Sequence, residues 1–417
     1  MFGRLKRALY FPLAGYFRLF AKVQLLLWKP RIVVITGSSG KTTLLHLLQS
    51  QIGDSARYSH HANSAFGVSF DILGLKRKEL ARVEWFSLFL LAPIRAFKKP
   101  FSEKLYIVEA DCDRPGEGKF LAGLLKPEVT LWVSVSRTHS ANFDALVPSK
   151  FKTVDEAIAF EFGYFAKNSS GEVFANGDPS LITEQLKRAP AKKTLITKKE
   201  LQSYRVSATG TEFKTKNGRF AVKALLPEEA FYSLSMTKGL LEYLNLKFNP
   251  TFPGFELPPG RSSLFKGIKN TTLLDSSYNA TLDGMKATLK MFDSLEAKTK
   301  WAVLGDMIEQ GKEEEEEHQK LAAEILKYKF AKIILMGPRV SKYTFSMLAN
   351  SQVVAFTTPK EALDYLSENL KGGETILFKG ARFLEGVVEA LLLNKADIKL
   401  LCRREKVWQE RRRKWGV

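Results

Sequence analysis

Cysteine is scarce: Cys112 and Cys402 are the two in 417 residues. They lie far apart in the chain, which excludes a disulfide framework and a cysteine zinc site and fits a reducing cytoplasmic setting. No uncharged apolar run reaches the roughly 18 residues that a membrane-spanning helix needs. No small-residue cleavage site is placed as in a signal peptide. Acidic residues are outnumbered, 44 Asp plus Glu against 64 Lys plus Arg, for a net charge of +20. That field favours an anionic partner: nucleic acid, acidic lipid or a phosphorylated substrate. No recognition-helix, zinc or RNA-binding signature accompanies the charge, so nucleic acid is not expected.

What is present is apolar residue in quantity. A hydrophobic content of 45% over 417 residues supports real cores in two or three domains and excludes a disordered chain. The start, "MFGRLKRALYFPLAGYFRLFAKVQLLLWKP", mixes Phe, Leu and Tyr with Arg4, Lys6, Arg7, Arg18 and Lys22, and carries Pro12. Such a mixture suits either an interfacial helix on an anionic membrane face or a helix packed on the protein's own surface. A second apolar run, Trp85 to Lys99, also ends in basic residues, and the tail "CRREKVWQERRRKWGV" adds a third Arg, Lys and Trp cluster. The tail reads equally as a solvated, flexible end.

The chemistry begins at "RIVVITGSSGKTT", residues 31 to 43. Ile32 to Ile35 are apolar and β-branched, as in a strand buried on both faces of a parallel sheet. Gly37 and Gly40 let the backbone turn so that its N–H groups point inward. Lys41 adds a point charge for phosphate oxygens, and the Thr42 hydroxyl can ligate magnesium. The spacing G-x-x-G-K-T-T is shorter than the usual phosphate loop, because Ile35 holds the place of the first glycine. The apolar run Leu44 to Leu48 continues as a helix.

Further strand-like runs are Leu105 to Val108, Val129 to Val135, Leu273 to Leu274, Ala302 to Leu304, Lys332 to Leu335 and Thr375 to Phe378. Their alternation with helical stretches predicts an α/β protein with mostly parallel sheets. Residues 200 to 225, broken by "TG" and "NG" turns, read as a small antiparallel sheet within the first large domain. "FNPTFPGFELPPGR", residues 248 to 261, is the best linker. The run Glu313 to Glu317 reads as the solvated first turns of a helix, where negative charge complements the dipole.

"LYIVEADCDRPGE" ends a strand with Glu109, and "VTLWVSVSRTHSANFD" ends another with His139. Ligands gather at the carboxyl ends of parallel strands, so both side chains are candidates to meet the phosphate loop around magnesium. Each also has a plainer reading, as a surface acid and a structural histidine.

Together with "PPGRSSLF", "TLLDSSYNATLDGMKATLKMF", "AVLGDMIEQGKEEEEEHQKLA" and "ILFKGARFLEGVVEALL", these segments resemble the Mur ligase family. Its members are the ATP-dependent amide-bond-forming enzymes of cell-wall precursor synthesis. The likeness is to the MurF branch, which joins a D-alanyl-D-alanine dipeptide to a UDP-linked muramoyl tripeptide, and it covers about residues 30 to 395. The resemblance implies a central ATP-binding domain over 30–255 and a Rossmann-like carboxyl-terminal α/β domain over 260–398. The segment 1–29 and the tail 399–417 flank them.

It further implies that Gly37, Ser38, Ser39, Gly40, Lys41, Thr42 and Thr43 hold the phosphates of ATP. Thr42, Glu109 and His139 would serve Mg2+, and Arg261 and Asp275 would reach ATP from the later domain, whose closure completes the site. Asn63 matches a position near phosphates and acceptor, and Asn176 with Asp178 matches a turn near the nucleotide. Tyr278, Asn279, Lys379 and Arg382 match the region that places the incoming amine component. The implied reaction activates a carboxylate as an acyl phosphate, which an amino acid or dipeptide amine then attacks. Lys41, magnesium and Arg261 would balance the crowded anions. The implied enzyme works as a monomer in the cytoplasm, at the inner face of the membrane if the amino-terminal segment binds lipid.

Three departures stand out. The phosphate loop begins only about thirty residues in, where full-length relatives have a further amino-terminal domain for the UDP end of the acceptor. The expectation is an acceptor carried on a membrane lipid. The lysine that relatives modify with carbon dioxide is absent from "EAIAFEFGYF"; Glu161 either supplies that carboxylate or lies on a helix face. The family's adenine-holding segment is replaced by "PEEAFYS" at 227 to 233. The competing readings are another acid–amino-acid ligase of the superfamily, acting on a lipid-linked or polyglutamate-type substrate, and a nucleotide-binding scaffold without turnover.

Overall fold

The computed structural model describes residues 2–60, 62–77, 83–348, 352–380 and 383–417, with the backbone alone for residues 2–8. The chain divides into two compact units. One comprises residues 1–136, 145–199 and 232–249; the other comprises 137–144, 200–231 and 250–417.

The first unit is built on a parallel sheet of six strands: β1 (Arg31–Thr36), β2 (Ala56–Tyr58), β3 (Leu105–Ala110), β4 (Val129–Trp132), β5 (Glu172–Asn176) and β6 (Lys192–Ile196). Their order is β2-β3-β1-β4-β5-β6. The central strands are apolar along their whole length because both sheet faces are covered. Strand β4 stops at Trp132, short of the Val135 expected from hydrophobicity, and residues 134 to 136 brace the phosphate loop instead.

Helices of this unit include α1 (Phe2–Trp28), α2 (Lys41–Ile52), α3 (Ala65–Ile72), α4 (Glu84–Ala96), α5 (Glu117–Leu125) and α6 (Val154–Lys167). Helix α2 buries Leu44, Leu45, Leu47 and Leu48, the i, i+3, i+4 set of one helical face. Helix α1 continues through Pro12 and buries Ala14, Phe17, Ala21 and Trp28 completely. The Phe17 ring lies 4.8 Å from those of Phe70 in α3 and Phe89 in α4. The reading of this segment as a helix packed on its own protein therefore holds for one of its faces. No helix among the described residues is long and apolar enough to cross a membrane.

The second unit contains an antiparallel sheet of β7 (Leu201–Ser207), β8 (Gly210–Thr215) and β9 (Gly218–Val222). It also contains a six-stranded sheet of β10 (Ser263–Lys266), β11 (Thr272–Ser276), β12 (Lys300–Gly305), β13 (Lys332–Met336), β14 (Val353–Phe356) and β15 (Thr375–Lys379). The order is β10-β11-β15-β12-β13-β14, parallel except for β10. The antiparallel sheet clusters with this unit, not with the phosphate-loop unit as its sequence position suggests. The reason is shared core: Val206 and Leu225 are buried with Met285, Leu289 and Leu304. The glutamate run opens the helix Glu314–Ile325, but Glu317 is buried and pairs with Lys320 at 3.0 Å, so that run is not wholly solvated.

Candidate active site

Strands β1 and β3 are neighbours in register, with Ile35 opposite Glu109. The loop leaving β1 therefore emerges beside the carboxyl end of β3, where ligands collect in open α/β sheets. Gly37 and Gly40 have φ of 130° and 82°, a region that disfavours side chains. A Cβ on Gly37 would come within 2.7 Å of the Ser134 carbonyl oxygen, so glycine is also required by close approach. The loop is held from one side. The Ser38 hydroxyl donates to Ser136 O at 2.6 Å and accepts from Ser136 N at 2.8 Å. Ser39 N donates to Ser134 Oγ at 2.9 Å.

Lys41 is buried. Its Nζ lies 2.8 Å from Asp111 Oδ2 and donates to Gly37 O at 2.5 Å. Burial pulls the Lys41 pKa down, but Asp111 and Glu109 more than offset it, leaving the group above the ordinary lysine value. The Thr42 hydroxyl donates to Glu109 Oε1 at 3.1 Å, and Glu109 N donates to Ser59 Oγ at 2.8 Å. A hydroxyl and a carboxylate brought together in this way are the hard oxygen donors that suit magnesium. Thr43, the second threonine, is half-buried in the first turn of α2.

Asn63 is half-buried, and its carbonyl accepts from Asp111 N at 2.8 Å. This ties the turn at Asn63 to the residue that pairs with Lys41. Asn176 ends β5 and accepts through Oδ1 from Asp178 N at 3.1 Å. Asp178 in turn accepts from Lys198 N at 2.8 Å and from the Tyr232 hydroxyl. Both residues thus shape one turn, and Tyr232 of the altered "PEEAFYS" segment braces it.

Glu161 is buried on α6, and its two oxygens accept from Gly116 N at 2.8 Å and Gly118 N at 3.0 Å. It caps the start of α5. Burial raises its pKa, and those backbone donors offset part of the rise. Its carboxylate is engaged with backbone donors at the start of α5.

The remaining candidates lie in the second unit. His139 Nδ1 is 2.6 Å from Glu309 Oε2, and its backbone takes φ of 52°. Arg261, Asp275, Tyr278, Asn279 and Lys379 come together at the ends of β11 and β15. The Arg261 guanidinium stands 4.2 Å over the Tyr278 ring, and Lys379 Nζ donates to Asn279 O at 2.7 Å. Burial and the nearby Arg261 push Lys379 down to about 8, against a smaller opposing pull from Asp275. Asp275 is fully buried; Oδ1 accepts from Ser277 N at 3.0 Å, and Oδ2 has no hydrogen-bond partner among the described residues. Burial raises its pKa. Arg382 lies outside the described residues.

Three residues escaped the sequence reading: Asp111, Ser134 and Ser136. Asp111 sits two positions beyond Glu109, on the same strand end, and that position was the available signal. The two serines carry no motif.

Residues 260–382 match the Mur ligase, glutamate ligase domain. Over 391 residues the chain is 23% identical to the UDP-N-acetylmuramoyl-tripeptide–D-alanyl-D-alanine ligase of Bacillus subtilis, covering 87% of this chain and 76% of that protein. Among solved structures, MurF ligase from Thermotoga maritima in complex with ADP superposes with a TM-score of 0.69 at 17% identity, covering 96% of this chain and 84% of that one. MurF from Acinetobacter baumannii gives a TM-score of 0.72 at 18% identity, covering 91% and 80%. The fold is that of the Mur ligases. The chain is similar to MurF ligases in sequence and in architecture.

Proposed function

We propose that this chain is an ATP-dependent, ADP-forming amide ligase of the MurF type, acting in the cytoplasm on cell-wall precursors as a monomer. The observation that carries this is the group at the ends of β1 and β3: a buried lysine paired to Asp111 at 2.8 Å beside a Thr42–Glu109 contact of 3.1 Å. That combination suits a nucleotide triphosphate better than any neutral ligand. The Bacillus subtilis relative is named for joining D-alanyl-D-alanine to a UDP-muramoyl tripeptide, and the acceptor and amine proposed here are of that kind.

Joining a carboxylate to an amine in water is uphill, so the carboxylate must first become an electrophile. In the proposed reaction an acceptor carboxylate oxygen attacks the γ-phosphorus of ATP, ADP leaves, and an acyl phosphate forms. The amine nitrogen then attacks the acyl carbon, and inorganic phosphate leaves as the amide forms. Lys41 would exchange Asp111 for phosphate oxygens and meet the charge that develops on the transferred group. Magnesium supplies charge neutralisation on the phosphates when bound, and the Thr42 hydroxyl and Glu109 carboxylate are the groups we assign to hold it. Arg261 lies close enough to Lys379 to add to the effect of burial in lowering its pKa, and two neighbouring cations suit a site for an anion, here the carboxylate of the amine component or the nucleotide.

The test is phosphate release. An active ligase releases phosphate from ATP only when both a muramoyl tripeptide acceptor and D-alanyl-D-alanine are present, and Lys41→Ala lowers that rate by about a hundredfold or more. Hydrolysis indifferent to both substrates, or nucleotide binding without any turnover, would overturn the assignment in favour of a scaffold. Running the assay with UDP-linked and lipid-linked acceptors decides which form is used.

A further inference from the structure

Helix α4 is apolar on both of its sides. Leu88, Ala92 and Ala96 are buried against the unit, and the Phe89 ring packs on Tyr16 and Phe17 of α1. On the opposite side Val83, Phe86, Leu90, Ile94 and Phe97 are each between 56% and 83% exposed. Their spacing of 3, 4, 4 and 3 residues keeps them within about 80° of arc at about 100° per residue. Helix α1 lies alongside, tied by a hydrogen bond from the Tyr16 hydroxyl to Phe89 O at 2.8 Å, and it exposes Leu19 and Leu26. A helix that is apolar all round is ordinarily buried on every side. Exposed large apolar residues in a contiguous run mark an interaction site.

The charge around this surface selects the occupant. Residues 1–29 contain Arg4, Lys6, Arg7, Arg18, Lys22 and Lys29 and no acidic residue, and α4 runs into Arg95, Lys98 and Lys99. Lys22, Lys98 and Lys99 are exposed. A second copy of the chain would set cations against cations, whereas an anionic bilayer presents opposite charge to the rim and hydrocarbon to the stripe. We propose that the outer faces of α1 and α4 form one docking surface for an anionic membrane, with Phe86, Leu90, Ile94 and Phe97 entering the headgroup and acyl boundary and Lys22, Lys98 and Lys99 meeting lipid phosphates. The surface belongs wholly to the phosphate-loop unit, so docking would hold that unit at the bilayer.

Vesicle co-sedimentation of the full chain, without nucleotide or precursor, reads this directly and independently of ligase activity. The full chain binds vesicles of phosphatidylcholine mixed with phosphatidylglycerol, binds phosphatidylcholine alone at least about tenfold more weakly, and loses binding as salt rises. The triple variant Phe86→Ser, Ile94→Ser, Phe97→Ser and the double variant Lys98→Glu, Lys99→Glu each weaken binding by about tenfold or more. Both leave the circular dichroism spectrum and nucleotide affinity unchanged, since the side chains point outward. Failure to bind the mixed vesicles, equal binding to neutral vesicles, or unaltered binding by both variants would overturn the proposal. So would a concentration-dependent dimer of the full chain that the triple variant abolishes.

Discussion

Lys41 Nζ and Asp111 Oδ2 lie 2.8 Å apart with both side chains buried. Removing one member of such a pair leaves the other charge without compensation, at a cost of about 3–5 kcal/mol. Asp111→Ala should therefore lower the melting temperature of the phosphate-loop unit by several degrees. Because a triphosphate brings negative charge to the same lysine, ATP should raise the melting temperature more in the variant than in the parent. The folded Lys41 pKa stands above its ordinary value, so the pair's contribution is present throughout neutral pH and is lost only as pH rises through that folded pKa. Thermal denaturation with and without nucleotide measures each of these. An equal nucleotide shift in both proteins would mean that Lys41 does not exchange Asp111 for phosphate.

Lys379 makes the opposite electrostatic prediction. Its pKa of about 8 comes from burial and then Arg261, with Asp275 pulling upward. Reductive methylation with carbon-13 and an NMR titration should give a midpoint near pH 8. Arg261→Ala should move that midpoint up toward the ordinary lysine value, and Asp275→Asn should move it down. A lowered lysine pKa means that the unfolded chain holds more protons above pH 8, so stability from this group rises with pH from about 8 toward the ordinary lysine pKa of 10.5. The charge itself disappears as pH rises through 8, so affinity for an anionic amine component should fall over that range.

Glu161 separates capping from metal binding. Its oxygens accept from Gly116 N and Gly118 N, and Gln can accept through one oxygen only. Glu161→Gln should cost about 1–3 kcal/mol while leaving the magnesium midpoint of ATP turnover unchanged. Glu109→Gln should shift that midpoint upward. A magnesium shift in Glu161→Gln at least as large as in Glu109→Gln would return Glu161 to the metal.

The legible parts of this chain are those where chemistry and local pattern coincide. Ile32 to Ile35 reads as a strand because four apolar β-branched residues tolerate burial on both faces, and β1 is that strand. Lys41, Thr42 and Glu109 read as partners because a phosphate loop and a strand-end acid occur in a parallel sheet. Strand β6 escaped notice because it is a sheet edge, with Lys192, Lys193 and Leu195 exposed, and so has little hydrophobic pattern. The role of Glu161 is set by where α6 passes α5, and no residue spacing contains that. The grouping of Arg261, Tyr278 and Lys379 came from family resemblance alone, since their separation along the chain carries no periodic signal.

Glu117 links the amino-terminal helix to the turns around the phosphate loop. It is fully buried. One oxygen accepts from the Tyr10 hydroxyl at 2.7 Å and from Ala65 N at 2.8 Å, and the other accepts from Asp113 N at 3.1 Å. Ala65 follows the Asn63 turn, and Asp113 follows Asp111, so a displacement of Tyr10 would be felt at both. Tyr10→Phe should cost about 1 kcal/mol, and Glu117→Ala, which strands the buried Ala65 N–H and the part-buried Asp113 N–H, about 3 kcal/mol or more. Amide exchange at Ala65 and Asp113 should quicken in both variants, and nucleotide affinity should weaken with it. If Tyr10→Phe leaves those amides as slow as in the parent, α1 is a cover over the unit and does not position its site.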